Sequence, residues 1–203
     1  MATTRSQAAA DKRRQILDAA VITFSDRGFH ACRVSDIADQ AGVAYGLVYH
    51  YFASKDKILD TLFLERWTVM LERIREVDAQ AVPAREKLWA IASFIVDSYR
   101  HDPNLMKVII VEVTRAANSF GARHMNEIRE AYVLLGQIVE KAQAAGSFRS
   151  EVAPQFAALA FYGAIEQVLT GWIFGVLAQG EAEYEQAKHY IVETICGGLD
   201  ARE

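Results

Sequence analysis

Residues 38–46 read Ala38-Asp39-Gln40-Ala41-Gly42-Val43-Ala44-Tyr45-Gly46, and the reading of this stretch decides the fold. Upstream, Val34, Ile37, Ala38 and Ala41 fall on one helical face, which predicts a short helix over residues 34–40. Ala38 and Ala41 are small, so a second helix can cross close to the first. Gly42 suits the left-handed conformation that ends a helix, and Val43 then plugs the core beneath the turn. A further short helix is expected from Tyr45 to Tyr51. Two short helices joined this tightly form a helix-turn-helix, whose second member projects from a rigid partner into a DNA major groove.

The second helix divides into two faces. Leu47, Val48 and Tyr51 can turn inward, which leaves Ala44, Tyr45, Gly46, Tyr49 and His50 outside. Tyr51 and Phe52 read as core aromatics. For Tyr45, Tyr49 and His50, an outward aromatic face with nothing to fill is better explained by contact with DNA than by packing.

Outward from the motif, helical periodicity continues almost to both ends. A first helix is expected over residues 11–27, with Ile16, Leu17, Ala20, Val21 and Phe24 inward and Gly28 as its stop. Ser54 is a natural N-cap and Asp56 suits the first turn of a long fourth helix reaching Ala79. Pro83 and Pro103 open a fifth and a sixth helix, the latter closed by Gly121. A seventh follows over residues 122–145, an eighth over 153–179 and a ninth over 182–197. The expected fold is all-α, with about nine helices. Residues 156–177 are apolar enough to cross a bilayer, but Glu166, Gln167 and Thr170 sit mid-stretch without cationic flanks. A buried core helix is the preferred reading, with no membrane partner.

Composition excludes several classes. With 52% apolar residues the chain can build a sizeable core. The net charge of −4 is not that of a protein coating nucleic acid, yet it is unevenly spread. Residues 1–60 hold eight Lys/Arg against seven Asp/Glu, whereas the rest holds 14 against 19. Only the N-terminal part can approach phosphates without strong repulsion. Cys32 and Cys196 lack any metal-ligand spacing and read as buried thiols of a reducing cytoplasm. The first eleven residues lack the apolar stretch of a signal peptide. Five scattered histidines, without HExxH or GxSxG, give neither a metal site nor an enzyme's nucleophile–base pair, and no cofactor is expected.

The run Ile37-Ala38-x-x-Ala41-Gly42-Val43-x-x-Gly46-x-x-Tyr49-x-Tyr51-Phe52-x-Ser54-Lys55-x-x-x-Leu59, with Gly28-Phe29 before it, resembles the signature of the TetR family of repressors. The resemblance covers residues 11–71 and implies a three-helix DNA-binding domain there, its helix-turn-helix over 34–53. It implies that residues 72–203 form a helical domain that dimerises and holds an effector. Tyr49 and Lys55 would contact phosphates, Ala44, Tyr45, Gly46 and His50 would face base edges, and Ser35 would add a contact from the supporting helix. Arg33 departs from the pattern, which usually has a capping threonine there. Either Cys32 or a displaced helix start then takes over the cap, and Arg33 is a further phosphate contact or a solvated side chain. Lys12, Arg13 and Arg14 read as a basic run ahead of the first helix, an arm toward DNA or a frayed terminus.

The expected eighth helix is apolar on more than one face, and a single neighbour cannot cover it. The last two helices are similar to the family's dimer interface, where Gly163, Gly171 and Gly175 would permit close approach. A homodimer also matches a palindromic operator, whose half-sites lie about 34–36 Å apart. Trp67, Leu71, Trp89, Phe94, Met106 and Ile109 are candidates for an effector tunnel. Val113, Phe120, Tyr132, Phe161, Ile165 and Trp172 complete the set, core packing being the alternative for each. Arg115, Arg123 and Arg129 are either anion contacts at its mouth or surface charge. The segments Phe29-His30, Val43-Ala44-Tyr45-Gly46 and Leu62-Phe63-Leu64-Glu65-Arg66-Trp67 are similar to the fatty-acid-degradation repressors of the family, which implies a small apolar effector such as a long-chain acyl-CoA. The alternative is a drug-sensing repressor of an efflux pump, favoured if Glu112 or Glu166 faces the tunnel.

Overall fold

The structure is a computed structural model that describes residues 2–113 and 123–200, with side chains over 6–111 and 123–200. Among the described residues nine α-helices succeed one another: α1 (Ala2–Arg27), α2 (Val34–Ala41), α3 (Tyr45–Tyr51), α4 (Lys55–Asp78), α5 (Ala84–His101), α6 (Pro103–Val108), α7 (Met125–Ala144), α8 (Pro154–Ile173) and α9 (Glu181–Leu199). A π-helical turn, Ile109–Val113, extends α6. The fold is all-α, as the periodicity requires. The chain divides into two compact units, the first holding residues up to Arg66 together with α6 and its π turn, the second holding Trp67–Pro103 and α7–α9.

In the first unit α1 packs on α2, and α2 on α3. Ile16, Leu17, Ala20 and Phe24 of α1 meet Ile37, Ala38 and Ala41 of α2 in a closed core, with Val48 beneath α3. Helix α1 starts nine residues before the expected Asp11, so Lys12, Arg13 and Arg14 lie inside it and form no arm. Arg13 pairs with Glu65 at 2.8 Å and covers the Phe52 ring, while Arg14 pairs with Asp18 at 3.0 Å. At the other end of α1, the Lys107 ammonium donates to the Ser25 carbonyl (2.7 Å) and the Ser25 hydroxyl donates to Asn104 (3.0 Å), which fastens α6 to the last turn of α1.

In the second unit α8 packs against α7, α9 and α5. Ion pairs zip α5 to α9: Arg85 with Glu193 (2.6 Å) and Asp200 (2.7 Å), Asp97 with the buried Lys188 (2.7 Å), and Arg100 with Glu181 (2.6 Å). Helix α8 ends at Ile173 rather than Gln179. Gly175 takes φ +68°, the amides of Val176 and Leu177 return to the Gly171 carbonyl, and the Trp172 indole donates to Ala178 O at 3.0 Å. A Cβ on Gly171 would stand 2.7 Å from Leu177 Cδ1, so the chain's own leucine occupies the space that sequence reasoning reserved for a partner. Gly163 alone of the three expected contact glycines lies in open space on the helix. By length and mean hydropathy α8 could cross a bilayer, yet Phe161, Ile165, Leu169 and Trp172 are buried in this unit's core.

Candidate functional site

The turn between α2 and α3 is closed as its residues require. Gly42 has φ +62°, its amide donates to Asp39 O (3.1 Å) and the Val43 amide donates to Ala38 O (3.0 Å), satisfying carbonyls that the helix end leaves open. Val48 and Phe52 are buried and Leu47 and Tyr51 half-buried, while Ala44, Tyr45, Gly46, Tyr49 and His50 are exposed. Tyr45 and Tyr49 are 54% and 44% exposed. Their rings meet edge-to-face at 5.1 Å and their hydroxyls share a hydrogen bond of 3.2 Å. That bond, more than burial, holds the Tyr49 hydroxyl above its ordinary pKa. Two hydroxyls sharing one bond leave one proton pointing outward, the donor a phosphate oxygen accepts. A Cβ at Gly46 would meet nothing within 4 Å, so the isolated fold does not demand glycine there.

Arg33 is the N-cap residue of α2 with extended backbone, φ −105° and ψ 157°. Neither of the expected substitutes caps the helix. The Cys32 thiol donates instead to the Arg33 carbonyl at 3.3 Å, and the start is not displaced. Asp36, in the first turn, accepts from the Arg33 amide at 2.8 Å and pairs with Arg27 of α1 at 2.9 Å. A carboxylate near the positive helix end does the work that a capping threonine would do. The Arg33 side chain is exposed and Ser35 half-buried on the same short helix.

Lys55 is placed differently from its expected role. Its ammonium donates to the carbonyls of Phe29 (2.5 Å), Cys32 (2.7 Å) and His30 (3.4 Å) and stands 4.5 Å from the Phe29 ring centroid. Those carbonyls engage all three donors of the group, so a phosphate would have to compete with the chain's own backbone. Lys55 ties the first turn of α4 to the α1–α2 loop. Ser54 caps α4 as expected, accepting from the Lys57 amide at 3.2 Å.

The effector candidates do not form one group. In the second unit Trp67, Leu71, Phe161 and Ile165 are buried, and Phe94 and Tyr132 half-buried. Trp67 and Tyr132 converge on Tyr162, with ring centroids 6.2 Å and 5.6 Å away, and the Trp67 indole donates to Glu127 O at 2.8 Å. Tyr162 escaped the sequence reading, although a tyrosine one turn before Glu166 on an otherwise apolar helix was the available signal. Trp172 belongs to a separate cluster, stacked on Tyr99 at 5.4 Å and edge-on to Tyr184 at 4.9 Å. Trp89 is 37% exposed and rests against His189, because its position turns it off the buried stripe of α5. Met106 and Ile109 are buried in the first unit, not the second. Val113 and Phe120, like Glu112 and Arg115, have side chains outside the described residues, while Arg123 and Arg129 are exposed. Both cysteines are free and buried, and burial pushes the Cys196 thiol up to about 11.

Comparison with known proteins accords with this architecture. Residues 16–62 match the bacterial regulatory proteins of the tetR family, and residues 63–189 match the C-terminal region of YsiA-like proteins. The chain belongs to the TetR family. Among TetR-family relatives, the fatty acid metabolism regulator protein of Bacillus subtilis is 34% identical over 163 residues, 80% of this chain and 84% of that protein. The crystal structure of the transcriptional regulator FadR from Bacillus subtilis in complex with stearoyl-CoA superposes with a TM-score of 0.81 and 27% identity, covering 91% of this chain and 98% of that one. The fatty acid degradation regulator FadR from Bacillus halodurans gives 0.80 and 26%, over 92% and 98%. This TetR-family chain is therefore a transcriptional regulator and not an enzyme.

Proposed function

We propose that the protein is a cytoplasmic homodimeric repressor that holds a palindromic operator through α3 and is released by a long-chain acyl-CoA. One observation carries the DNA half of the reading: Ala44 at the N-cap of α3 and Tyr45, Gly46, Tyr49 and His50 along it stand exposed, while Leu47, Val48 and Tyr51 turn to the opposite, wholly or partly buried face. Tyr49 serves phosphate, Tyr45 and His50 the base edges, and Gly46 leaves room for close approach of the duplex. Arg33 and Ser35 add contacts from α2, and Lys55 acts indirectly by fixing the loop ahead of it.

The dimer reading draws on α8 and α9. Phe156 (67% exposed), Leu159 and Tyr190 leave a large apolar surface on these helices. The charged side of α9 is already engaged by α5, which leaves this apolar side for a second copy. The effector reading rests on the likeness to a fatty acid metabolism regulator and to a regulator crystallised with stearoyl-CoA, together with the aromatic and aliphatic bulk around Trp67. Glu166, half-buried near the tyrosines, is the observation that favours the drug-sensing alternative.

The test is fluorescence anisotropy with a duplex selected by the protein from a random library, titrated with palmitoyl-CoA or with a cationic dye. Release by low-micromolar palmitoyl-CoA and none by the dye is expected. Release by the dye alone would establish the alternative, and failure to select any duplex would remove the DNA reading.

A further inference from the structure

Helix α8 has two long faces. Ala157, Ala158, Phe161, Ile165, Leu169 and Trp172 are buried on one. Phe156, Leu159, Gly163, Gln167 and Thr170 recur at helical spacing on the other, and none of these five is buried. Phe156, Phe174 just past the helix end and Tyr190 of α9 are each more than half exposed. Three aromatic side chains exposed to that degree present on the order of 350 Å² of surface. That is close to half of the roughly 800 Å² that each partner gives up in a stable complex. Beside this face, α8 and α9 leave a groove of about 250 Å³, lined by Val168, Trp172, Leu177, Ala187, Tyr190 and Ile191. An apolar cavity of roughly 150 Å³ is enough for benzene, so a phenyl ring fits. Its wall is preformed. Trp172 is stacked on Tyr99, and the Gln179 side chain donates to the Trp172 carbonyl (2.8 Å) while accepting from the hydroxyls of Tyr99 (3.2 Å) and Tyr184 (3.4 Å). A groove built in advance costs little ordering when it is filled.

Position along α8 decides what fills the groove. Val168 and Trp172 bracket Thr170, seven residues after Gly163, and Phe156 lies seven residues before it. At the rise of an α-helix, groove and ring therefore stand about 10 Å to either side of Gly163. A Cβ at Gly163 would meet nothing within 4 Å, so a second backbone can approach closely there. A two-fold axis through Gly163, perpendicular to α8, carries each exposed ring onto the other copy's groove. Isologous pairing requires such a match of a surface with itself, and a partner of unrelated sequence would not. We propose that two copies pair antiparallel along α8 about Gly163, with the partner's Phe156 seated in the groove beside Trp172. This rests on the homodimer reading above and deepens it by naming the register and the anchor.

Sedimentation equilibrium of the full-length protein gives the dimer Kd. Phe156→Ala, which removes an exposed ring and empties both grooves, should raise that Kd about a hundred-fold with the circular dichroism unchanged. Ala187→Leu, which fills the groove from within, should raise it as well. Mixed in equal amounts, the two variants should form a heterodimer tighter than either homodimer. One seat is then restored, and the other sets the added leucine against the missing ring. Gly163→Cys should cross-link to its own copy under mild oxidation, the native Cys32 and Cys196 being buried. Phe156→Cys should not, because its two sulfurs lie about 20 Å apart, far beyond disulfide reach. A wild-type Kd for Phe156→Ala, a mixture with no preference for the heterodimer, or a cross-link through Phe156→Cys would overturn this register while the homodimer reading stands. A wild-type chain that stays monomeric at high micromolar concentration would remove the homodimer reading itself.

Discussion

Tyr45 and Tyr49 stand one turn apart on α3 and share a hydroxyl–hydroxyl bond, so the proposed DNA contact engages them as a unit. Replacing either by phenylalanine should weaken operator binding roughly ten-fold, and the double variant should lose less than the product of the two. Operator anisotropy on the four proteins of the cycle reads this directly, and strict additivity would separate the two side chains. Gly46→Ala should leave the melting temperature equal or slightly higher, since no atom crowds the new methyl and alanine favours helix, while operator affinity falls. Lys55→Met should cost about 2 kcal/mol, because three carbonyls lose a charged donor. That loss should appear as a lower Tm, with the salt dependence of DNA binding unchanged. A phosphate contact would instead reduce the salt slope by about one. The exposed face of α3 was legible from periodicity alone, since inward and outward positions follow from a rise and a turn. The role of Lys55 was not, because its acceptors are backbone atoms more than twenty residues upstream.

At the scale of the element, helix starts and stops were legible where a capping residue governs them. Ser54, Gly42 and Pro103 each mark a boundary at the position where local chemistry puts it. The end of α8 was misread because apolar residues run on past Ile173, and apolarity does not distinguish a helix from a fold-back that covers its own last turn. There Leu177 seats against Gly171 and Trp172 is pinned to Ala178. Gly171→Val should therefore destabilise by about 1 kcal/mol in chemical denaturation. The same substitution in a Leu177→Ala background should cost much less, and an equal cost in both would show that the crowding comes from elsewhere.

For the whole molecule, the ion pairs joining α9 to α5 and the burial of Ile165, Leu169 and Trp172 leave Leu159 and Tyr190 outside. Replacing both of these by glutamate should strain nothing within a protomer, yet place like charges at the face proposed to be shared by two copies. Sedimentation should then report a monomer of unchanged helicity with operator binding lost, whereas a persisting dimer would move the interface to another surface. Saturating palmitoyl-CoA should raise the Tm, by an amount that corresponds to about 2.7 kcal/mol at a hundred times Kd. What the sequence determined by itself was the helix-turn-helix, because its periodicity, small crossing residues and turn glycine all act within some twenty residues of one another. Only the tertiary structure decided that Lys55 is turned to its own backbone and that Trp67 and Tyr132 converge on Tyr162. Those groups come from three helices far apart in sequence, and side chains on separate helices meet only through packing, which no local pattern encodes.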